Sequence, residues 1–161
     1  MRTLVFIFFC LVNLSSNAST LKIGFIDTNQ VVTSLTIYKQ SIDLISREFE
    51  PKKQELLYLF NHIELLRSQI NTINKNSNES IEAELLKLSN LEMSFKQETE
   101  FWQKMMNNKK IELLNEIELI INQAINEYAT KEQFDLILYE NVAFSSDKAN
   151  ITDKIIELIE K

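Results

Sequence analysis

The sequence predicts an α+β fold in which a long antiparallel helical hairpin stands on a small β-sheet body. Three observations carry this prediction. Apolar residues recur in alternating steps of three and four between residues 42 and 73, and this heptad spacing places an apolar seam along one side of a helix. The 161 residues include one Gly and one Pro, so tight turns are few and long helices are favoured. Short runs rich in β-branched and aromatic residues lie near the two ends and predict strands.

Residues 1–18 predict a secretory signal peptide. Arg2 gives a positive start, residues 4–14 are almost wholly apolar, and small residues precede a cleavage after Ala18. A helix formed by residues 4–14 covers roughly 16 Å, against about 30 Å for the hydrocarbon core, which argues against a membrane anchor. Cleavage also removes Cys10, so the exported chain depends on packing or oligomerisation and not on disulfides.

The first part of the body is predicted at residues 19–35. The run at residues 22–26 is β-branched and aromatic and predicts a strand. Asp27, with Gln30 three residues later, resembles a capping box, so we expect a helix to start at Thr28. Threonine and serine side chains then weaken this helix and predict a break before the hairpin begins at residue 36.

The hairpin is predicted to span residues 36–130, with its tip at residues 74–79. That tip has no apolar side chain and is rich in Asn and Ser, which is typical of a turn. Pro51 lies inside the outgoing arm, where an interior proline costs about 3 kcal/mol. The heptad phase continues across it, so we expect a bent helix. The alternative is a helix that ends at Glu50 and a second one that starts at Pro51.

The polar middle of the return arm carries four large apolar side chains that allow two interpretations. In the first interpretation, they pack on Phe60 and Leu56 across the hairpin, since an aromatic stripe is usually core. Alternatively, they form an adaptable apolar surface for unfolded polypeptide clients, because thioether side chains adjust to irregular shapes. The candidate client-binding residues are Phe60, Phe95, Phe101, Trp102, Met105 and Met106.

The second part of the body is predicted at residues 131–161. Residues 133–140 form a near-continuous apolar run, as in a strand buried on both sides, and residues 142–144 predict a second short strand that pairs with it as a hairpin. Thr152 is the expected N-cap of a final short helix. So small a sheet is marginal alone, which predicts an oligomer joined through the body. The candidate assembly residues are Ile23, Phe25, Leu136, Leu138, Val142 and Phe144.

The composition argues against several classes of function. Acidic residues number 23 and basic residues 17, and this net charge of −6 argues against a nucleic-acid partner, which needs a basic face. One His and one Cys supply no ligand set for zinc or an iron–sulfur cluster. Gly24 stands alone, so no phosphate-binding loop is expected. We therefore expect no catalytic residue, no cofactor and no metal site.

The order of elements resembles that of the Skp (OmpH-type) periplasmic chaperones. The best-matching stretches are residues 22–27 and 134–156, and the hairpin matches by length and pattern. The resemblance implies a homotrimer whose strands join in a central body, with three arms around a cavity. It implies an ATP-independent holdase, without catalytic residues, that carries unfolded outer-membrane proteins across the periplasm and contacts the membrane surface transiently.

The charge of the chain departs from this resemblance. The chaperones of that type are basic, whereas this chain is acidic and its arms are nearly neutral. Apolar side chains would therefore have to contribute more to the capture of clients. The alternative function is a non-enzymatic coiled-coil adaptor of the cell envelope, which holds a folded partner by its heptad seam.

Overall fold

Two long helices and a two-stranded sheet make up the protein in the computed structural model, which describes residues 20–72, 78–139 and 142–161. The elements are β1 (Ile23–Ile26), α1 (Thr28–Ser34), α2 (Thr36–Thr72), α3 (Asn78–Glu132), β2 (Leu136–Tyr139) and α4 (Thr152–Ile159). Helices α2 and α3 form the hairpin, and the other elements gather at its base. The predicted α+β architecture is confirmed. The predicted signal peptide and most of the predicted tip lie outside the described residues.

The two strands come from opposite ends of the chain and pair in parallel. Strand β1 also binds the segment before α4 along its other edge, where the Phe25 N–H donates to the carbonyl of Ala149 (2.7 Å) and the Ile151 N–H donates to the carbonyl of Phe25 (2.9 Å). Within the described chain, the outer edge of β2 has no strand partner. The sheet therefore ties both ends of the chain together beneath the hairpin and leaves one edge open.

Two predictions for the body are wrong. Val142 and Phe144 lie in a loop and not in a strand, because the chain after β2 crosses to the far edge of β1 and cannot turn back along β2. Strand β2 is also not buried on both faces, since Leu136 and Leu138 are 47% and 41% exposed. Its apolar run faces solvent on one side of the single chain.

The start of α1 is capped from two parts of the chain. The Asp27 carboxylate accepts the N–H of Gln30 (2.9 Å), as predicted. The second half of the capping box comes from Thr152, whose hydroxyl accepts the N–H of Asp27 (2.9 Å). The prediction that Thr152 caps α4 is wrong, because Ile151 holds that position and the Thr152 N–H donates to the Asn150 side chain (3.0 Å).

The predicted break before the hairpin and the continuity of the outgoing arm are both confirmed. Helix α1 ends at Ser34, Leu35 adopts an extended backbone, and α2 begins at Thr36. Helix α2 then continues through Pro51 as one helix. Helix α3 begins at Asn78, within the predicted tip.

A Schellman motif ends α3 and turns the chain into β2. The Phe134 N–H donates to the carbonyl of Ala129 (2.9 Å), the Gln133 N–H donates to that of Thr130 (3.4 Å), and Gln133 is left-handed with φ of 56°. The rings of Phe134 and Tyr128, 6.0 Å apart, make the apolar contact that accompanies this motif.

The core lies where the body meets the lower parts of the arms. Its fully buried side chains are Ile26, Val31, Leu35, Ile117 and Ile155. Further along the arms, the seam of α2 buries Leu56, Ile63 and Leu66. Two helices side by side bury only the facing stripe of each, so the apolar residues off this seam are exposed.

Candidate functional site

Three of the six predicted client-binding residues come together on one flank of the hairpin. Phe60, Phe95 and Trp102 line an open apolar recess of about 340 Å³ between α2 and α3. The rings of Phe60 and Phe95 lie 5.9 Å apart and are inclined at 43°, a favourable geometry for an aromatic pair. The other residues that line the recess are Lys53, Leu56, Leu57 and Thr99. Of the four residues predicted to pack on Phe60 and Leu56, Trp102 is the one that lines this recess with them.

Trp102 joins the two arms at the level of the proline. Its indole N–H donates to the backbone carbonyl of Phe49 (3.2 Å), two residues before Pro51. A proline lacks an N–H and its ring crowds the preceding helical turn. The bond from Trp102 is accepted within that turn, and it fixes the indole as a wall of the recess.

The other three predicted residues do not join this recess. Phe101 is 65% exposed on the opposite flank, beside Lys52 and Glu98. Met105 is exposed, and Met106 packs against the core of the body. Consecutive helical residues point about 100° apart, so Phe101 and Trp102 cannot share a flank.

A line of exposed apolar residues on α2 was missed by the sequence analysis. Ile37, Leu44, Tyr58 and Leu65 are exposed and recur at multiples of seven residues, with Pro51 at the remaining step. Seven residues are close to two helical turns, so these side chains follow one line outside the seam. The signal was present in the sequence. Apolar steps of three and four identify the seam, but they do not identify a second apolar position that recurs only once in each heptad.

Ion pairs border the recess at both ends along α2. On the side nearer the body, Lys53 pairs with Glu50 (3.2 Å). On the side nearer the tip, Arg67 bridges Glu64 on its own helix and Glu92 on α3. The hydrogen bond to Glu92 is the main reason that the pKa of Arg67 is raised. The apolar surface is therefore divided into short patches by charged groups.

The polar interruption of the seam, Lys52, forms an ion pair across the hairpin. Its Nζ lies 2.6 Å from Glu98 and 3.0 Å from Glu55, and the Ser94 hydroxyl also donates to Glu98 (3.0 Å). The hydrogen bond from Lys52 lowers the pKa of Glu98, and that from Ser94 lowers it further. The two charged groups can meet in only one alignment of α2 with α3. The ion pair therefore fixes the register of the two helices.

Four of the predicted assembly residues share one face of the sheet. Ile23 lies opposite Leu136, and Phe25 lies opposite Leu138. Residues opposite each other in paired strands point to the same side. The other side carries the fully buried Ile26. One face of the sheet therefore covers the core, and the other presents apolar side chains outward.

No group of three or more His, Cys, Asp or Glu side chains is placed to hold a metal ion in the described parts of the chain. Of the helices within residues 20–72, 78–139 and 142–161, none combines the length and the apolar composition that a bilayer crossing needs.

Comparison with known proteins gives matches by structure and a match by family. No curated protein matches the chain. The fold is similar to that of a candidate outer membrane chaperone (OmpH-like) from Caulobacter crescentus CB15, with a TM-score of 0.71 and 14% identity over 88% of this chain and 85% of that chain. The family described as Outer membrane protein (OmpH-like) matches residues 22–159, which include the body and both arms. The chain therefore belongs to the OmpH-like family, in agreement with the resemblance seen in its sequence.

Proposed function

We propose that this protein is an ATP-independent holdase chaperone that binds unfolded outer-membrane proteins in the periplasm. The observation that carries the proposal is the row of large apolar side chains exposed along both arms, of which Tyr58 (76% exposed) and Phe101 are examples. No single patch needs to be large, because several apolar patches along two arms together form a binding surface. Membership of the OmpH-like family supports the same conclusion.

The arms hold a client through many weak contacts. The apolar patches are small and separated by ion pairs such as that of Arg67 with Glu92, so no single patch dominates. Simultaneous contact at several patches gives a useful affinity by avidity, although each contact is weak and exchanges quickly. A client held in this way is kept from other unfolded chains without an energy source.

The proposal includes export by the signal peptide and assembly through the body as a homotrimer, with the arms around a cavity. The open edge of β2 supports assembly, because an unpaired edge binds other chains. The outward face of Ile23, Leu136 and Leu138 supplies apolar area beside this edge. Phe144, 85% exposed in the loop that follows β2, is a further exposed apolar side chain of the body.

The proposal is tested by dilution of a urea-unfolded outer-membrane porin into buffer that contains residues 19–161 and no nucleotide. We expect the light scattering from aggregated porin to fall with increasing chaperone concentration. A variant with Tyr58→Ser and Phe60→Ser should protect less, whereas Gln54→Ser, on the same helix, is the matched control. Undiminished aggregation in molar excess of the wild-type protein would contradict the holdase function.

One observation favours the adaptor as a second candidate. The seven-residue spacing of Leu44, Tyr58 and Leu65 is the spacing that another helix recognises. An adaptor would hold a folded helical partner along this line. The state of the cargo separates the two functions: capture of a folded protein that Tyr58→Ser abolishes, with no binding of unfolded porin, would favour the adaptor.

A further inference from the structure

The recess beside Trp102 has the dimensions of a site for a single side chain. Along α2 its lining runs from Lys53 to Phe60, a distance of roughly 10 Å at 1.5 Å per residue. The ion pair of Lys53 with Glu50 closes one end of this lining, and that of Arg67 with Glu92 lies beyond the other end. A docked helix would need apolar contact over several turns, and those charged groups interrupt it. The recess therefore fits one large side chain of an extended polypeptide.

The walls of the recess favour an aromatic ring. Phe60 and Phe95 already form a tilted pair, and a third ring can add to it edge-to-face or offset, with a gain of about 0.5–1.5 kcal/mol beyond burial for each pair. Trp102 is held by its bond to Phe49, so the ring that it presents is fixed before any ligand enters. Fixed walls reduce the entropy lost on binding.

The hydroxyl of Thr99 gives this apolar site a preference for a ligand that carries a hydrogen-bonding group. Thr99 lies in the lining of the recess, and its Oγ1 is buried without a hydrogen-bond partner among the described residues. A buried polar atom without a partner is costly, and a ligand that supplies a partner gains this energy. The hydroxyl oxygen is covered in the structure, so it meets an entering group only after a rotation about χ1, and the side chain of a helical threonine populates two χ1 rotamers.

We propose that the recess binds a tyrosine side chain of the client, with the ring between Phe60, Phe95 and Trp102 and the phenol hydroxyl bonded to Thr99. This inference rests on the proposed holdase function for its client. Transmembrane β-barrels carry girdles of aromatic residues at both membrane interfaces, so an unfolded barrel offers a tyrosine in many of its strands. The recess thereby selects a feature that such clients share.

The test uses the fluorescence of Trp102, which is the one tryptophan of the chain. The full exported chain is titrated with short capped peptides that are identical except for Tyr, Phe or Leu at one position. We expect the Tyr peptide to bind about fivefold more tightly than the Phe peptide, the effect of one neutral hydrogen bond. We expect the Leu peptide to bind more weakly than either.

Two variants test which residue causes the preference for the Tyr peptide. Thr99→Val should make the Tyr and Phe peptides equal, and it should leave the fold intact because it removes an unsatisfied buried hydroxyl. Phe101→Ala, on the other flank, is the matched control and should keep the preference for tyrosine. Equal binding of the two peptides by the wild type, or a preference that survives Thr99→Val, would overturn the proposal.

The porin assay separates this inference from the holdase function. Protection of porin without a preference for tyrosine overturns the recess assignment and supports the holdase. A tyrosine preference that Thr99→Val abolishes, without protection of porin, supports the recess as a binding site and contradicts the holdase.

Discussion

The carboxylate of Glu160 caps the start of helix α2 by accepting two hydrogen bonds from Thr36, a residue 124 positions earlier. One oxygen accepts the backbone N–H (2.7 Å) and the other accepts the hydroxyl (2.8 Å). The residue before α2 is Leu35, whose side chain cannot cap a helix. At its other end, α4 caps α1 through Thr152 and Asp27. The C-terminal helix therefore holds the start of α1 in the body and the start of α2, which is the outgoing arm.

The first prediction concerns the acid stability that this cap confers. The backbone hydrogen bond from Thr36, and then that from its hydroxyl, lower the pKa of Glu160 in the folded chain. A carboxylate with a lowered folded pKa stabilises the protein above its unfolded pKa of about 4.3, and this stabilisation is lost as the pH falls through the folded pKa. We expect Glu160→Gln to be less stable at pH 7 and to lose less stability than the wild type on acidification.

The measurement for this prediction is the midpoint of urea unfolding at several pH values on both sides of about 4.3. Glu48→Gln is the matched control, since Glu48 is exposed on α2 and lies away from the cap. An identical pH dependence of the wild type and Glu160→Gln would show that the cap contributes nothing to acid stability.

The second prediction concerns the left-handed residue at the end of α3. Gln133 has φ of 56°, a conformation that costs a non-glycine residue about 1–2 kcal/mol. Glycine adopts it without this cost but loses more entropy on folding. We expect Gln133→Gly to raise the free energy of unfolding by about 0.5 kcal/mol. Gln123→Gly, in the exposed interior of α3, should lower it by about 1 kcal/mol. A loss of stability in both variants would argue against the Schellman motif.

The parts of the fold that the sequence predicted depend on local spacing. The heptad steps predicted the hairpin, and Asp27 with Gln30 predicted the start of α1. The two caps supplied by α4 were not predictable in this way, because Thr152 and Glu160 bond to residues 125 and 124 positions away. A pattern within one segment carries no information on such contacts.

The sequence identified residues of the candidate site but not how these residues are arranged in space. The sequence grouped Phe101 and Trp102 because they are adjacent, whereas the helix places them on different flanks. Phe60 and Phe95 were both identified, but their contact depends on the alignment of the two arms. That alignment is fixed by contacts across the hairpin, of which the ion pair of Lys52 with Glu98 is one.

The third prediction concerns the close approach of two side chains to Gly24. A Cβ atom at this position would lie 3.0 Å from the ring of Phe134 and 3.2 Å from Cδ1 of Ile151. The Phe134 ring is held between Tyr128 and the ammonium of Lys22, 4.3 Å from its centroid, so it cannot move freely. We expect Gly24→Ala to lower the free energy of unfolding by about 1–2 kcal/mol.

Urea unfolding of a double variant checks this explanation. Phe134→Leu shortens the side chain that the new methyl group meets, so Gly24→Ala should cost less in that background than in the wild type. Equal costs in the two backgrounds would show that the ring of Phe134 is not the obstacle.

The last prediction concerns the outward face of the sheet. Leu136 and Leu138 are half-exposed in the single chain, so glutamates at both positions leave the core of the body intact. In an assembly joined through this face, the same charges would be buried without partners, which is strongly unfavourable. We therefore expect the double variant to be a folded monomer by light scattering and circular dichroism, and the wild type to be a trimer. Leu65→Glu, on the arm, should remain a trimer, and a double variant that also does so would move the assembly surface away from β2.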